Sequence, residues 1–126
     1  QQQPHYEDVL HEVMDFLLTR MAAVGAAGVA HNRIVIDPGF GFGKTLAHNL
    51  TLLRNLQKFT ELGVPLMAGL SRKSMLGAIT GQSVDNRVAA SVAAALLAVQ
   101  RGASIVRVHD VRATCDALKI WSAIQK

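Results

Sequence analysis

The chain has 126 residues, half of them hydrophobic and 17% charged, which is the composition of a packed globule and excludes a disordered tail. Its one cysteine, Cys115, rules out an internal disulfide and fits a reducing compartment, hence a cytoplasmic setting. Net charge is +4 with the histidines neutral, and the bases are dispersed without interleaved aromatics, a pattern that suits a small anionic ligand better than nucleic acid. No apolar run is long enough to cross a bilayer, and the amino end lacks the charged-then-apolar pattern of a secretion signal. The start Gln1-Gln2-Gln3, without a methionine, reads as the end of a cut or processed chain.

From Pro4 to Gly28 the sequence predicts a helix, with Val9, Leu10, Val13, Met14, Leu17, Met21 and Val24 at three-to-four spacing and Gly25 and Gly28 at its end. Glu7, Asp8 and Glu12 suit its amino end, where the helix dipole favours acids. His5, His11 and His31 have no metal-ligand spacing and read as surface or structural residues.

Next comes IVIDPGFGFGKT, residues 34 to 45. Ile34, Val35 and Ile36 predict a short strand buried on both faces, as in a parallel sheet. Asp37 stands at its tip and Pro38 opens a turn. Gly39, Gly41 and Gly43 alternate with Phe40 and Phe42, giving a backbone free to approach a ligand beside flat apolar surface, and Lys44 adds a cation. A nucleotide P-loop fails on spacing, because Pro38 stands where its first glycine belongs. A dinucleotide fingerprint fails too, on the one-then-two glycine spacing.

A second helix is predicted from Leu46 to Leu62, with Leu46, Leu50, Leu53, Leu56 and Phe59 facing inward and Gly63 as its end cap. Val64 to Leu70 reads as a second strand that opens into Ser71-Arg72-Lys73-Ser74, and Met75 to Gly81 as a short helical turn. Ser83 to Asn86 starts an Ala-rich helix that runs through Gln100 and ends at Gly102. Ser104 to Val108 is the third strand, with Arg107 and His109 at its end. Arg112 to Gln125 is the last helix, with Ala113, Leu118, Trp121 and Ile124 as its buried positions.

Helices alternating with strands imply parallel strands joined by right-handed crossovers. The distinctive polar residues all follow strand ends: Asp37, then Ser71 to Ser74, then Arg107 and His109. In a (β/α)8 TIM barrel those ends share the face that carries the active site. Three strands cannot close such a barrel, which takes eight strands and about 250 residues. The α/β chain therefore reads as roughly its carboxyl-terminal portion.

Asp37-Pro-Gly-Phe-Gly-Phe-Gly-Lys44, Gly69-Leu-Ser-Arg-Lys-Ser74 and Arg107-Val-His-Asp110, in that order, resemble three motifs of bacterial dihydropteroate synthase, and the resemblance covers essentially the whole chain. It implies that residues 1–126 are the carboxyl-terminal part of one pterin-binding TIM-barrel domain. The implied reaction joins p-aminobenzoate to a hydroxymethyl-dihydropterin pyrophosphate with loss of pyrophosphate, in folate biosynthesis. Asp37, an acceptor-only carboxylate, then suits the N–H donors of the pterin ring. Lys73 matches the pterin-contacting lysine, and Arg107 and His109 the pair that holds the leaving pyrophosphate. Ser71 and Ser74, otherwise ordinary helix caps, bind with their loop the carboxylate of p-aminobenzoate. Gly41 and Phe42 pack on its ring, while Gly69 and Arg72 flank the same pocket. Lys44 is left as a surface ion-pair residue.

The resemblance also implies Mg²⁺, whose protein ligand lies outside this chain, together with sulfonamides as competitors and a homodimer formed through carboxyl-terminal barrel helices. A metal-binding asparagine, an acid and an asparagine on middle strands, and two mobile loops of the family are absent from this sequence. The expectation is thus a chain that is inactive without the missing amino-terminal half. Two other readings stand beside it: a pterin-binding module without chemistry, and a pterin-dependent methyltransferase domain. The second has no use for a pyrophosphate site.

Overall fold

The computed structural model describes residues 6–126, so Pro4 and His5, and with them the expected helix start, lie outside the described residues. Helix α1 runs Val9–Ala26. Asp8 caps it by accepting a hydrogen bond from the backbone N–H of His11, which satisfies one of the orphan donors of the first turn. Val9, Leu10, Val13 and Leu17 form its buried stripe. A single 3-10 turn, His31–Arg33, leads into the first extended segment.

That segment pairs with its neighbour at one position, Ile36 with Leu66, in parallel. The predicted second helix divides into α2, Leu46–Arg54, and a 3-10 helix, Leu56–Leu62. Gly63 closes the latter in the left-handed conformation, φ 76°, which a glycine adopts without steric cost. The inward face is set by Asn49, Leu52, Leu56 and Phe59. Leu50 and Leu53 are half-buried and Leu46 is exposed, so the buried stripe is rotated from the predicted one. Positions 49, 52, 56 and 59 keep one 3-4-3 spacing, so a single buried stripe that excludes Leu46, Leu50 and Leu53 runs through both segments.

The predicted second and third strands are shorter than their apolar runs. Strand β1 is Met67–Ala68 and β2 is Ile105–Val106, paired parallel with Met67 opposite Ile105 and Ala68 opposite Val106. The backbone ladder extends a little further, through Ser104 N–H and Arg107 N–H donating to the carbonyls of Leu66 and Ala68. Helix α3 is Ser74–Thr80; a 3-10 turn at Val84–Asn86 then precedes α4, Val88–Gln100. Helix α5, Val111–Ile124, ends the fold.

The three extended segments thus lie side by side in chain order, each followed by a helix, as parallel crossover units require. They are buried on one face only. Ile36, Leu66 and Ala68 meet the helices, whereas Val35 and Ile105 are 49% and 41% exposed on the other side. This corrects the expectation of a strand covered on both faces. Strand alternation places Asp37 with Val35, Gly69 and Ser71 with Met67, and Arg107 and His109 with Ile105, so the polar strand-end residues share the uncovered face.

Ser91, Ala94, Ala95 and Ala98 form the buried stripe of α4, small enough for close approach to α5 and β2. On α5 only Thr114 is buried; Ala113, Leu118 and Trp121 are half-buried, and Ile124, expected inside, is 70% exposed.

Candidate functional site

The glycine loop is pinned from below and from above. Phe40 is fully buried and anchors it to the core. Asn49 of α2 is buried and accepts from the backbone N–H of Gly41 at 2.9 Å. Lys44 folds back over the loop and donates to the carbonyls of Gly39 (2.8 Å) and Phe42 (3.0 Å). Its ammonium lies 5.9 Å from the Tyr6 ring, so Lys44 is a loop clamp and not the surface ion pair expected. Burial pushes its pKa below the ordinary lysine value, opposed by Asp37. Gly39, Gly41 and Gly43 all have positive φ, and that is the backbone requirement behind the glycine alternation.

Asp37 divides its work. Oδ1 accepts from Gly39 N–H at 2.9 Å, an Asx turn that starts the loop. Oδ2 makes no hydrogen bond among the described residues and is the oxygen available to a ligand. Phe42 is 69% exposed, and the Lys73 ammonium sits 5.2 Å from its ring. That ammonium also donates to the carbonyl of Phe40 at 2.6 Å, tying the end of β1 to the glycine loop. Burial lowers the Lys73 pKa; Asp37 opposes this, while Arg107 and Lys44 add to it. Both lysines therefore feel the same carboxylate.

Arg72 holds the one positive φ among the described non-glycine residues, 58°, a conformation that costs about 1–3 kcal/mol. Its surroundings enforce it. Arg72 N–H donates to Ser91 Oγ (2.9 Å), its carbonyl accepts from Arg87 (2.9 Å), and its guanidinium pairs with Asp110 (3.0 Å). The turn this creates aims Lys73 back at the glycine loop. Arg72 itself is committed to Asp110. Neither Ser71 nor Ser74 acts as a helix cap: Lys73 occupies the cap position of α3 without a side-chain bond, and Ser74 is the first helical residue.

Arg107 lies across Gly69. A Cβ there would stand 3.3 Å from the guanidinium, so the absent side chain is what lets the arginine lie close over the strand. The guanidinium has no hydrogen-bond partner among the described residues. Ser71, buried, meets His109 Nδ1 at 2.8 Å. Gly69, Ser71, Lys73, Arg107, Val108 and His109 together line a cavity of about 270 Å³ that contains no carboxylate. A second cavity, about 420 Å³, lies between α1 and the loop and is lined in part by Asp37, Gly39, Phe42 and Lys44. Among the described residues no group of three or more His, Cys, Asp or Glu side chains converges as a metal site.

The strand-end residues picked from sequence thus fall into two adjoining groups: Asp37, Gly41 and Phe42 on the loop, and Gly69, Ser71, Lys73, Arg107 and His109 around the smaller cavity. Lys73 bridges them. Arg72 and Ser74 stand at the margin. Asn49, Ser91 and Arg87, which hold the loop and the Arg72 turn, escaped sequence reading. The only signal for Asn49 and Ser91 is a polar residue on an otherwise apolar helix stripe.

The chain is a parallel α/β scaffold with Lys73 and Arg107, neither paired with a carboxylate among the described residues, beyond its strand tips. Its family is that of the pterin binding enzymes: the family model of that description matches residues 1–109, and the chain belongs to it. The dihydropteroate synthase of Haemophilus influenzae is 50% identical over 123 residues, which cover 98% of this chain and 45% of that protein. A crystal structure of the Stenotrophomonas maltophilia dihydropteroate synthase with active site-bound imidazole is 61% identical, with a TM-score of 0.97, covering 99% of this chain and 48% of that one. The Xanthomonas albilineans enzyme in complex with 7,8-dihydropteroate is 55% identical, with a TM-score of 0.96 over 99% of this chain and 48% of its own. The chain thus spans a little under half the length of these relatives. No helix among the described residues is long and apolar enough to cross a membrane.

Proposed function

We propose that this chain is the carboxyl-terminal portion of a dihydropteroate synthase, one domain built as a (β/α)8 barrel. The observation that carries the reading is the cavity in which Lys73, Arg107 and His109 meet without a carboxylate, next to the free oxygen of Asp37. Such a pairing suits a ligand with a polyanionic end and an N–H-rich end. A pterin pyrophosphate has both.

In this reading Oδ2 of Asp37 accepts from the pterin ring, and its charge stabilises the positive charge that spreads into the ring as the leaving group departs. The amine nitrogen of p-aminobenzoate attacks the methylene carbon, the carbon–oxygen bond to pyrophosphate breaks, and the amine loses a proton. Arg107 and His109 hold the departing pyrophosphate through charge-assisted hydrogen bonds. Lys73 reaches the pterin from the bridge between the two groups of residues. Ser71 and Ser74, with their loop and the start of α3, receive the benzoate carboxylate, Gly41 and Phe42 meet its ring, Gly69 lines the wall, and Arg72 flanks the pocket. Sulfonamides, as p-aminobenzoate mimics, compete at Phe42 and Ser71.

The Mg²⁺ implied for the whole enzyme does not fit the residues present, which offer cations to the pyrophosphate and no converging acids. In this reading its protein ligand lies outside residues 1–126. The whole enzyme is a cytoplasmic homodimer in this reading, with α4 and α5 as the pairing helices, and the chain alone is inactive.

Calorimetric titration with inorganic pyrophosphate tests the anion site. Removing a charged hydrogen bond costs about 1.5–3 kcal/mol, so Arg107→Ala is expected to weaken binding by about 10- to 100-fold. Unchanged affinity in the variant contradicts the assignment. Pyrophosphate indifference with retained pterin binding points to the module or methyltransferase reading.

A further inference from the structure

Two contacts join Ser71 Oγ to His109, and together they indicate where the ring proton sits. Ser71 Oγ accepts from the backbone N–H of His109 at 3.2 Å and lies 2.8 Å from Nδ1 of the same residue. A hydroxyl has one proton and two acceptor sites. If Nδ1 carried hydrogen, Oγ would accept twice from His109 and its own proton would be left without an acceptor among the described residues. Ser71 is 8% exposed, so that orphan would carry a desolvation cost. If Nδ1 is bare, the hydroxyl donates to it, and Ser71 Oγ, Nδ1 and the main-chain N–H of His109 are all partnered.

We infer that Ser71 is a positioning residue: its hydroxyl sets the Nε2–H tautomer of the His109 ring in its uncharged form and so presents a ring donor to an oxyanion in the cavity beside Arg107 and Lys73. The inference rests on the anion-site reading above. Nε2 has no hydrogen-bond partner among the described residues, so it is the nitrogen free to meet a ligand. The main-chain bond matters equally. It seats Oγ against the backbone of the residue whose ring it orients, which restricts the ring's rotation as well as its tautomer. Residues 71 and 109 are 38 positions apart in the chain and meet only because β1 and β2 are parallel neighbours.

The tautomer is read directly by long-range ¹⁵N–¹H correlation on the histidine-labelled chain, without any variant. The expected result is a bare Nδ1 and a protonated Nε2 for His109. A protonated Nδ1 in the neutral ring overturns the inference. Ser71→Ala is expected to release the ring to a mixture of tautomers and to weaken inorganic pyrophosphate by about 3- to 10-fold, the worth of one ordinary hydrogen bond. Ser71→Thr, which keeps the hydroxyl, is expected to restore the Nε2–H signature. An Ala variant with the wild-type tautomer contradicts the role. If the wild-type ring is Nε2–H and pyrophosphate does not bind, the positioning geometry stands and the proposed function is what fails.

Discussion

Phe40 and Phe42 stand two residues apart in one loop with opposite duties. Phe40 is fully buried, whereas Phe42 is 69% exposed over the Lys73 ammonium. Truncating a buried phenylalanine costs about 3–5 kcal/mol, a large part of the 5–15 kcal/mol that holds a typical domain folded. Phe40→Ala is therefore expected to lower the urea midpoint severely, and Phe42→Ala to leave it nearly unchanged. Equal effects would contradict the division. The sequence supplied both aromatics but could not rank them, since in an irregular loop no period assigns a face. It did mark Asp37, Lys73, Arg107 and His109, because polar residues directly after apolar strands are conspicuous. It could not reveal that Lys44 bonds two carbonyls of its own loop, or that Asn49 and Ser91 spend buried polar atoms on backbone donors. Those roles exist only once distant segments meet.

Helix α1 shows how an element's end can carry a pH signature. The Asp8 carboxylate accepts from His11 through both its backbone N–H and, at 2.6 Å, its ring. The His11 hydrogen bonds hold the Asp8 pKa below its ordinary 3.8, and Asp8 raises that of His11 above 6.5. A lowered acid contributes stability above its unfolded value and loses it as pH falls through the folded one. A raised histidine contributes below its unfolded value and loses it as pH rises through the folded one. The melting temperatures of wild type and His11→Ala are thus expected to differ most between pH 3.8 and 6.5, and to converge on either side. Both groups are exposed, so the effect is small and salt-sensitive. A gap independent of pH would contradict it. Element identities and most ends were legible from glycines, caps and apolar period. Strand length was not: apolar runs report burial, while pairing depends on which backbone lies alongside. Hence Ile36 alone of the first run is bridged.

At the scale of the molecule, one face of the parallel layer is covered by helices and the other exposes Val35, Ile105, Arg107 and His109. An apolar sheet face of that kind belongs against another layer. The alternation of elements announced parallel crossovers, and the parallel pairing of β1 with β2 and of Ile36 with Leu66 agrees with it. The chain spans 45–48% of the length of two relatives, and no closed barrel is present among the described residues. The strand ends bring together cations, one acid and an aromatic loop, and in the proposed reading these form one part of a larger site. The most direct measurement is calorimetry and turnover with hydroxymethyl-dihydropterin pyrophosphate and p-aminobenzoate, on this chain alone and mixed with the amino-terminal half of a full-length dihydropteroate synthase relative. The account predicts product only from the mixture. Product from the chain alone would contradict the shared site.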